Sequence, residues 1–305
     1  MLGTLFVIPN DTRWNAWFDA IKHVNNLVSD VNTVKTMKKN LKDVCKFLKV
    51  PALTSEDYLF ISEYVSVMTP VAYALDVLQG EQHTQVTSGY LLPTIVVIRR
   101  RFGQLAEKEP PLIICKPLVQ VLLDGISKRF DRFFNLEYFQ LAAVIHPKFK
   151  LCWLDDREEN EKKLQKKIIS RIEKKLQAMQ EEDQSNSSPS KSNISPEEEK
   201  HDFFTSLSKG KKCDQSSDNI WKIELTRYLE SKKTADLTCL NQYPLIKRLF
   251  FYYNVGLPAS AACERLFSLG GRVLTPLRTL LSDINFEMLV FLRCNKRVLD
   301  SLKQQ

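Results

Sequence analysis

Glycine is scarce in this chain, nine residues in 305. Together with apolar residues that recur at helical spacing almost throughout, that scarcity points to a mainly helical protein. Histidine is rarer still, with four residues and none at ligand spacing, and the seven cysteines include no Cys-x-x-Cys pair. A zinc site, and with it a zinc finger that reads DNA, is therefore not expected, and the composition calls for no metal and no cofactor. The cysteines are scattered and odd in number, which fits reduced thiols in the nucleus or cytosol. No apolar stretch approaches the roughly 20 residues of a bilayer span, so no membrane partner is expected. The first nine residues have a short apolar run but neither a basic segment nor a small-residue cleavage site, so no signal peptide is read there. No internal repeat stands out.

Lysine and arginine number 44 against 36 acids, a formal charge of +8 with pI near 9.0. This moderate excess suits a nucleic-acid partner without requiring one. At 44% hydrophobic residues the chain can build one large core or two medium ones.

Helices are predicted from Asp11 or Thr12, from about Val31 to the Val50-Pro51 stop, and from a capping box at Thr54 and Asp57 to Gly80, with a kink at Pro70. Further helices are expected over Tyr90 to Glu107, Lys116 to Phe134 and Leu136 to Ile145. From Asp155 to Glu182 the chain is highly charged, yet Leu164, Ile168, Ile172, Leu176 and Met179 keep one apolar stripe. Asp183 to Asn219 is rich in serine, asparagine and charge and reads as a polar linker, with helices resuming at Ile220. The sequence thus divides into a helical domain over 1–182, a linker over 183–219 and a terminal helical module over 220–305.

Three features carry chemistry. Glu264 lies in Pro258-Ala259-Ser260-Ala261-Ala262-Cys263-Glu264-Arg265-Leu266-Phe267-Ser268. Small residues around it predict a closely packed helix with Ser260 as cap and Gly270-Gly271 as stop. Its carboxylate is then a buried polar group, a metal ligand, or a helix-start acid paired with Arg265 or Arg272. The second feature is a stripe formed by Lys35, Lys38, Lys39, Lys42, Lys46 and Lys49 on one helix face. Val34, Met37, Leu41, Val44 and Leu48 lie on the far side, and Asp43 projects elsewhere. Such a row can track phosphates with little regard for sequence, or it is an ordinary solvated face. The third is the apolar surface of the last helices: Leu245, Leu249 and Tyr252 on one, Ile284, Met288, Phe291 and Leu292 on another. That is more than a short hairpin can bury against itself.

The run from Tyr243-Pro244-Leu245 through Cys263-Glu264-Arg265-Leu266-Phe267-Ser268 to Arg278 and Leu281 resembles the C-terminal dimerisation region of hAT-superfamily transposases. Weaker echoes stand upstream in the expected order: Thr12-Arg13-Trp14-Asn15 resembles the family's "TRWN" and His146-Pro147-Lys148-Phe149-Lys150 its "LDPRFK". The resemblance implies a ribonuclease-H-like core interrupted by a helical insertion. It also implies that Glu264 corresponds to the third of three acidic metal ligands, and that Arg13 and Trp14 contact a cut DNA end, the indole stacking on an exposed base.

The family's first two acids lie upstream of "TRWN", where this chain has only eleven residues before Thr12, and neither Asp11 nor Asp19 stands in their place. A "WW" pair common before "YP" is replaced by Asp236 to Gln242. One carboxylate cannot hold a metal pair. The expectation is a mainly α, catalytically inactive, transposase-like nuclear protein, found also in the cytoplasm: the helical insertion plus terminal helices of a truncated core. It would pair with itself or with related hAT-derived proteins, with Leu245, Leu249, Tyr252, Phe267, Met288, Phe291 and Leu292 as dimerisation candidates. Arg13, Trp14 and the six lysines are the DNA-binding candidates, and no small-molecule substrate is evident. The alternative is metal-dependent DNA strand transfer or cleavage in which other carboxylates, from a partner or a missing N-terminal part, complete a site with Glu264.

Overall fold

In a computed structural model the described residues are 8–9, 15–30, 32–80, 86–107, 109–154, 158–186, 220–275 and 280–302. Among them there are helices and no strand. The first five are α1 (Ala16–Ser29), α2 (Val34–Leu48), α3 (Ser55–Gln79), α4 (Leu91–Ala106) and α5 (Lys116–Phe134). Next come α6 (Glu137–Ile145), α7 (Glu159–Asn186), α8 (Ile220–Glu230) and α9 (Pro244–Tyr253). The last three are α10 (Ala261–Val273), α11 (Asp283–Cys294) and α12 (Lys296–Leu302). The mainly helical expectation therefore holds.

The helices gather into two compact units, one of residues 1–134 with 256–305, the other of residues 135–255. Neither edge coincides with the boundaries drawn at 182 and 220. Those followed composition, whereas the packing of α8 and α9 with α6 and α7 follows apolar faces.

In the first unit α1 lies on α3. Phe18, Val65 and Ala72 form a buried cluster with Ile21, Tyr64 and Met68 packed around it. Asn15 ties the start of α1 to α3 by donating its amide to Asp76 at 2.8 Å and to the Ala72 carbonyl at 3.3 Å. The capping box is formed as expected: the Asp57 N–H donates to Thr54 Oγ1 at 3.2 Å, and the Thr54 N–H returns to the Asp57 carboxylate at 2.7 Å. The Thr54 N–H, and then the Thr54 hydroxyl donating to the same carboxylate oxygen at 2.7 Å, hold the Asp57 carboxyl below its ordinary pKa. Gly80, at φ 75°, closes α3 in the left-handed conformation that glycine adopts without strain.

By length and mean hydropathy (1.2), α3 meets the minimum for crossing a bilayer, contrary to the sequence reading that no stretch came near it. It nevertheless carries the buried Glu63, which serves a neighbouring element. The Ile113, Ile114 and Cys115 N–H groups, at the entry to α5, all donate to this carboxylate at 2.8 Å. Burial, then the Glu63 charge, pushes the Cys115 thiol up.

Lys49, not glycine, closes α2 at φ 56°. Its N–H donates to the Lys46 carbonyl at 3.2 Å and the Val50 N–H to the Cys45 carbonyl at 3.0 Å, the paired bonds of a Schellman stop. A side chain with a Cβ pays for that conformation, so Lys49→Gly is expected to stabilise the first unit by about 1 kcal/mol. Urea unfolding would read it; a variant less stable than the parent contradicts the strain argument.

The second unit is built around α6, where Leu141, Ala142, Ala143, Val144 and Ile145 are fully buried. Ile168, Ile172 and Leu176 of the predicted α7 stripe are buried as expected, with Leu164 and Met179 half-buried beside them. Arg171 and Lys175 pair with Glu137, binding α7 to α6. The expected linker lies mostly outside the described residues, but its first residues continue α7, and Asp183 pairs with Arg248 at 2.6 Å.

Candidate association and nucleic-acid surfaces

Glu264 is exposed, not held in a packed interior. Ser260 donates its hydroxyl to Glu264 Oε1 at 2.7 Å, so the serine occupies the cap position but its side chain does not cap the helix backbone. Arg265 turns away and donates to the Gln79 carbonyl at 2.7 Å, at the end of α3. None of the ion pairs among the described residues includes Glu264. No group of three potential metal ligands occurs among those residues.

The glycine pair does not stop α10, which runs on to Val273. Gly270 is instead a site of close approach: a Cβ there would come within 3.3 Å of the Phe286 ring of α11. The α10–α11 hairpin is thus pinned on one side, with Phe286, Leu289 and Val290 half-buried. Ser282 caps α11 weakly, accepting from the Asn285 N–H at 3.4 Å.

On the other side the apolar residues have no cover. Ile284, Met288, Phe291 and Leu292 are all exposed, Phe291 at 60%, and no residue of α11 is buried. Leu266 and Phe267 of α10 are exposed too, the latter at 76%. Leu245 and Leu249 must be removed from the dimerisation candidates. Both are buried in the second unit because the stripe they form on α9 faces its own core, and only Tyr252 of that helix's candidates reaches the surface. Tyr252 belongs to the second unit, whereas Phe267, Met288, Phe291 and Leu292 belong to the first.

Lys35, Lys38, Lys39, Lys42 and Lys46 of α2 and Lys49 at its C-terminal cap are exposed. Lys38 sits 4.5 Å from the centre of the Tyr58 ring, and none of the six enters an ion pair among the described residues. Their far side is less well covered than expected. Leu41 is buried and Val34, Met37 and Val44 are half-buried, but Leu48 is exposed. The consecutive basic residues Arg99, Arg100 and Arg101 of α4 do not form a second such face, since Arg99 pairs with Asp131 and packs on Phe134. Arg13 and Trp14 lie outside the described residues.

The His146-to-Lys150 segment is a structural knot in the second unit. Phe149 and Lys150 both donate backbone N–H groups to the His146 carbonyl at 3.0 Å. The buried Lys150 ammonium donates to the Tyr228 carbonyl at 2.6 Å, to Ser231 Oγ at 2.8 Å and to the Ser231 carbonyl. Tyr228 in turn donates its hydroxyl to the Ile145 carbonyl, and burial raises its pKa. The sequence reading missed this network, as it missed Glu63; a lone acid in the apolar run Tyr58 to Val67 was the available signal for the latter.

No family model matches the chain, and no curated protein matches it. The resemblance to hAT transposases thus rests on the quoted segments alone.

Proposed function

We propose that this chain acts as a non-catalytic, transposase-like association protein, pairing with itself or a related chain through α10 and α11. The observation that carries the reading is α11: twelve residues with none buried, presenting Ile284, Met288, Phe291 and Leu292, while Leu266 and Phe267 of α10 are exposed as well. Monomeric proteins seldom leave so many large apolar side chains of one helix in water. The exposed Glu264, occupied with a helix-start serine, supports the non-catalytic part. In the same reading the α2 lysines supply a nonspecific DNA contact in the nucleus, through charge alone.

Sedimentation velocity on the full chain tests the association. The wild type is expected to dimerise across the micromolar range, and Met288→Asp with Phe291→Asp to leave a folded monomer, since exposed positions tolerate polar residues. A wild type monomeric at the highest concentration would sink the proposal. Glu264-dependent binding of Mn²⁺ together with cleavage of a DNA end would overturn the non-catalytic part.

A further inference from the structure

We infer that the turn joining α2 to α3 inserts into the surface of an anionic lipid bilayer, with the α2 lysines as its electrostatic collar. The turn reads Phe47-Leu48-Lys49-Val50-Pro51-Ala52-Leu53, and every residue in it is exposed. Phe47 is 85% accessible, Leu48 60% and Val50 50%. Five successive basic positions, Lys38, Lys39, Lys42, Lys46 and Lys49, lead along one face of α2 to this tip.

Charge alone suits any polyanion, and duplex DNA would be served by the lysines without the tip. The tip discriminates. A duplex keeps its bases stacked and offers none to Phe47, and Leu48 and Val50 have no stacking face at all, whereas aliphatic and aromatic groups beside lysines are what a headgroup–acyl boundary takes up. The backbone holds this arrangement in place. The Schellman bonds fix Val50 just past the helix end, and Lys49 keeps its ammonium at the tip in a conformation that glycine would adopt with less strain. On the α3 side the nearby Asp57 is engaged in the capping box, leaving Glu56 as the exposed acid beside the tip. The inference goes beyond the association reading, which rests on α10 and α11 and can stand or fall without it, and it competes with the DNA contact proposed for the same lysines, which the test separates from it.

Co-sedimentation of the full chain with vesicles of phosphatidylcholine, with and without phosphatidylserine, tests it. Binding is expected only to the serine-containing vesicles and to weaken as salt rises. Lys46→Gln and Lys49→Gln should each lower partitioning about fivefold. Phe47→Ser with Leu48→Ser should lower it at least tenfold, roughly, without changing the circular-dichroism melt, while Phe47→Trp should retain it. A duplex arm at the same salt separates the alternatives. The inference is overturned by DNA binding without vesicle binding, by vesicle binding indifferent to the tip substitutions, or by a tip variant whose only change is oligomeric state.

Discussion

Replacing Glu63 by alanine is expected to destabilise the first unit by about 3–5 kcal/mol. The carboxylate is buried in α3 and takes three backbone N–H groups from residues 113–115, each at 2.8 Å. Those donors precede α5, so no intrahelical acceptor exists for them. Alanine would remove the acceptor of all three at once; the Ile113 and Ile114 bonds are only partly buried, but the Cys115 donor is buried, and a stranded buried donor costs about 1–3 kcal/mol. The negative charge is also lost at a helix N-terminus, where the backbone dipole favours it.

Glu63→Gln divides these contributions. The amide keeps one acceptor oxygen and the side-chain volume but loses the charge and turns its other end into a donor facing donors. It should fall between the parent and the alanine variant. Urea unfolding gives the midpoint, and amide exchange at residues 113–115 gives the local effect. Those amides should exchange faster in Glu63→Ala than the α6 amides, which belong to the other unit. An unchanged midpoint with continued protection at 113–115 would contradict the assigned role.

The helix ends that could be read in the sequence are the ones set by chemistry within a few residues. Pro147 forbids continuation of α6, Thr54 and Asp57 satisfy each other, and Gly80 supplies a left-handed stop, while Pro51 bars α2 from running further although Lys49 already closes it after Leu48. The α7 stripe was legible because its period is local too. What failed depends on distant contacts. Gly270 reads as a stop because glycine weakens helices, but Phe286 packs against it and the helix continues. The α9 stripe was correctly seen as apolar, yet nothing within it says whether it faces a core or a partner, and for Leu245 and Leu249 the core took it. The small neighbours of Glu264 predict a closely packed helix, yet small residues permit close packing without compelling it, and the carboxylate stands exposed in the first turn of α10 without the arginine partner that the helix-start reading offered. On α2 the polar face was read correctly, while the exposure of Leu48 depends on how far α2 overlaps its neighbours.

Acidification should weaken the second unit through His146, and His146→Phe should remove much of that dependence. The imidazole is buried against the Phe149 and Phe250 rings, at 5.1 and 5.6 Å between centres. The Lys148 backbone N–H donates to its Nδ1 at 3.2 Å, which leaves the proton of the neutral ring on Nε2. Burial, with the Lys148 charge adding to it, pushes the pKa from 6.5 down to about 3. Between those values the unfolded chain binds a proton that the folded chain refuses, so the unfolded state gains as pH falls. The contribution is complete above about pH 6.5 and is lost toward pH 3, at roughly 1.4 kcal/mol per unit within that window. Glu224 acts in the opposite sense. Burial raises its pKa despite the bond from the Ile246 N–H, so just above 4.5 the folded state holds the extra proton. The other carboxylates titrate in the same region, and only a comparison of parent with variant isolates the histidine. At pH 8, His146→Phe should lose about 1 kcal/mol with the Lys148 bond. By pH 5 that order should reverse, with the variant more stable than the parent in urea unfolding followed by amide exchange in α6. Parallel pH profiles for the two proteins would mean that His146 is protonated in the fold and that its burial does not exclude the charge.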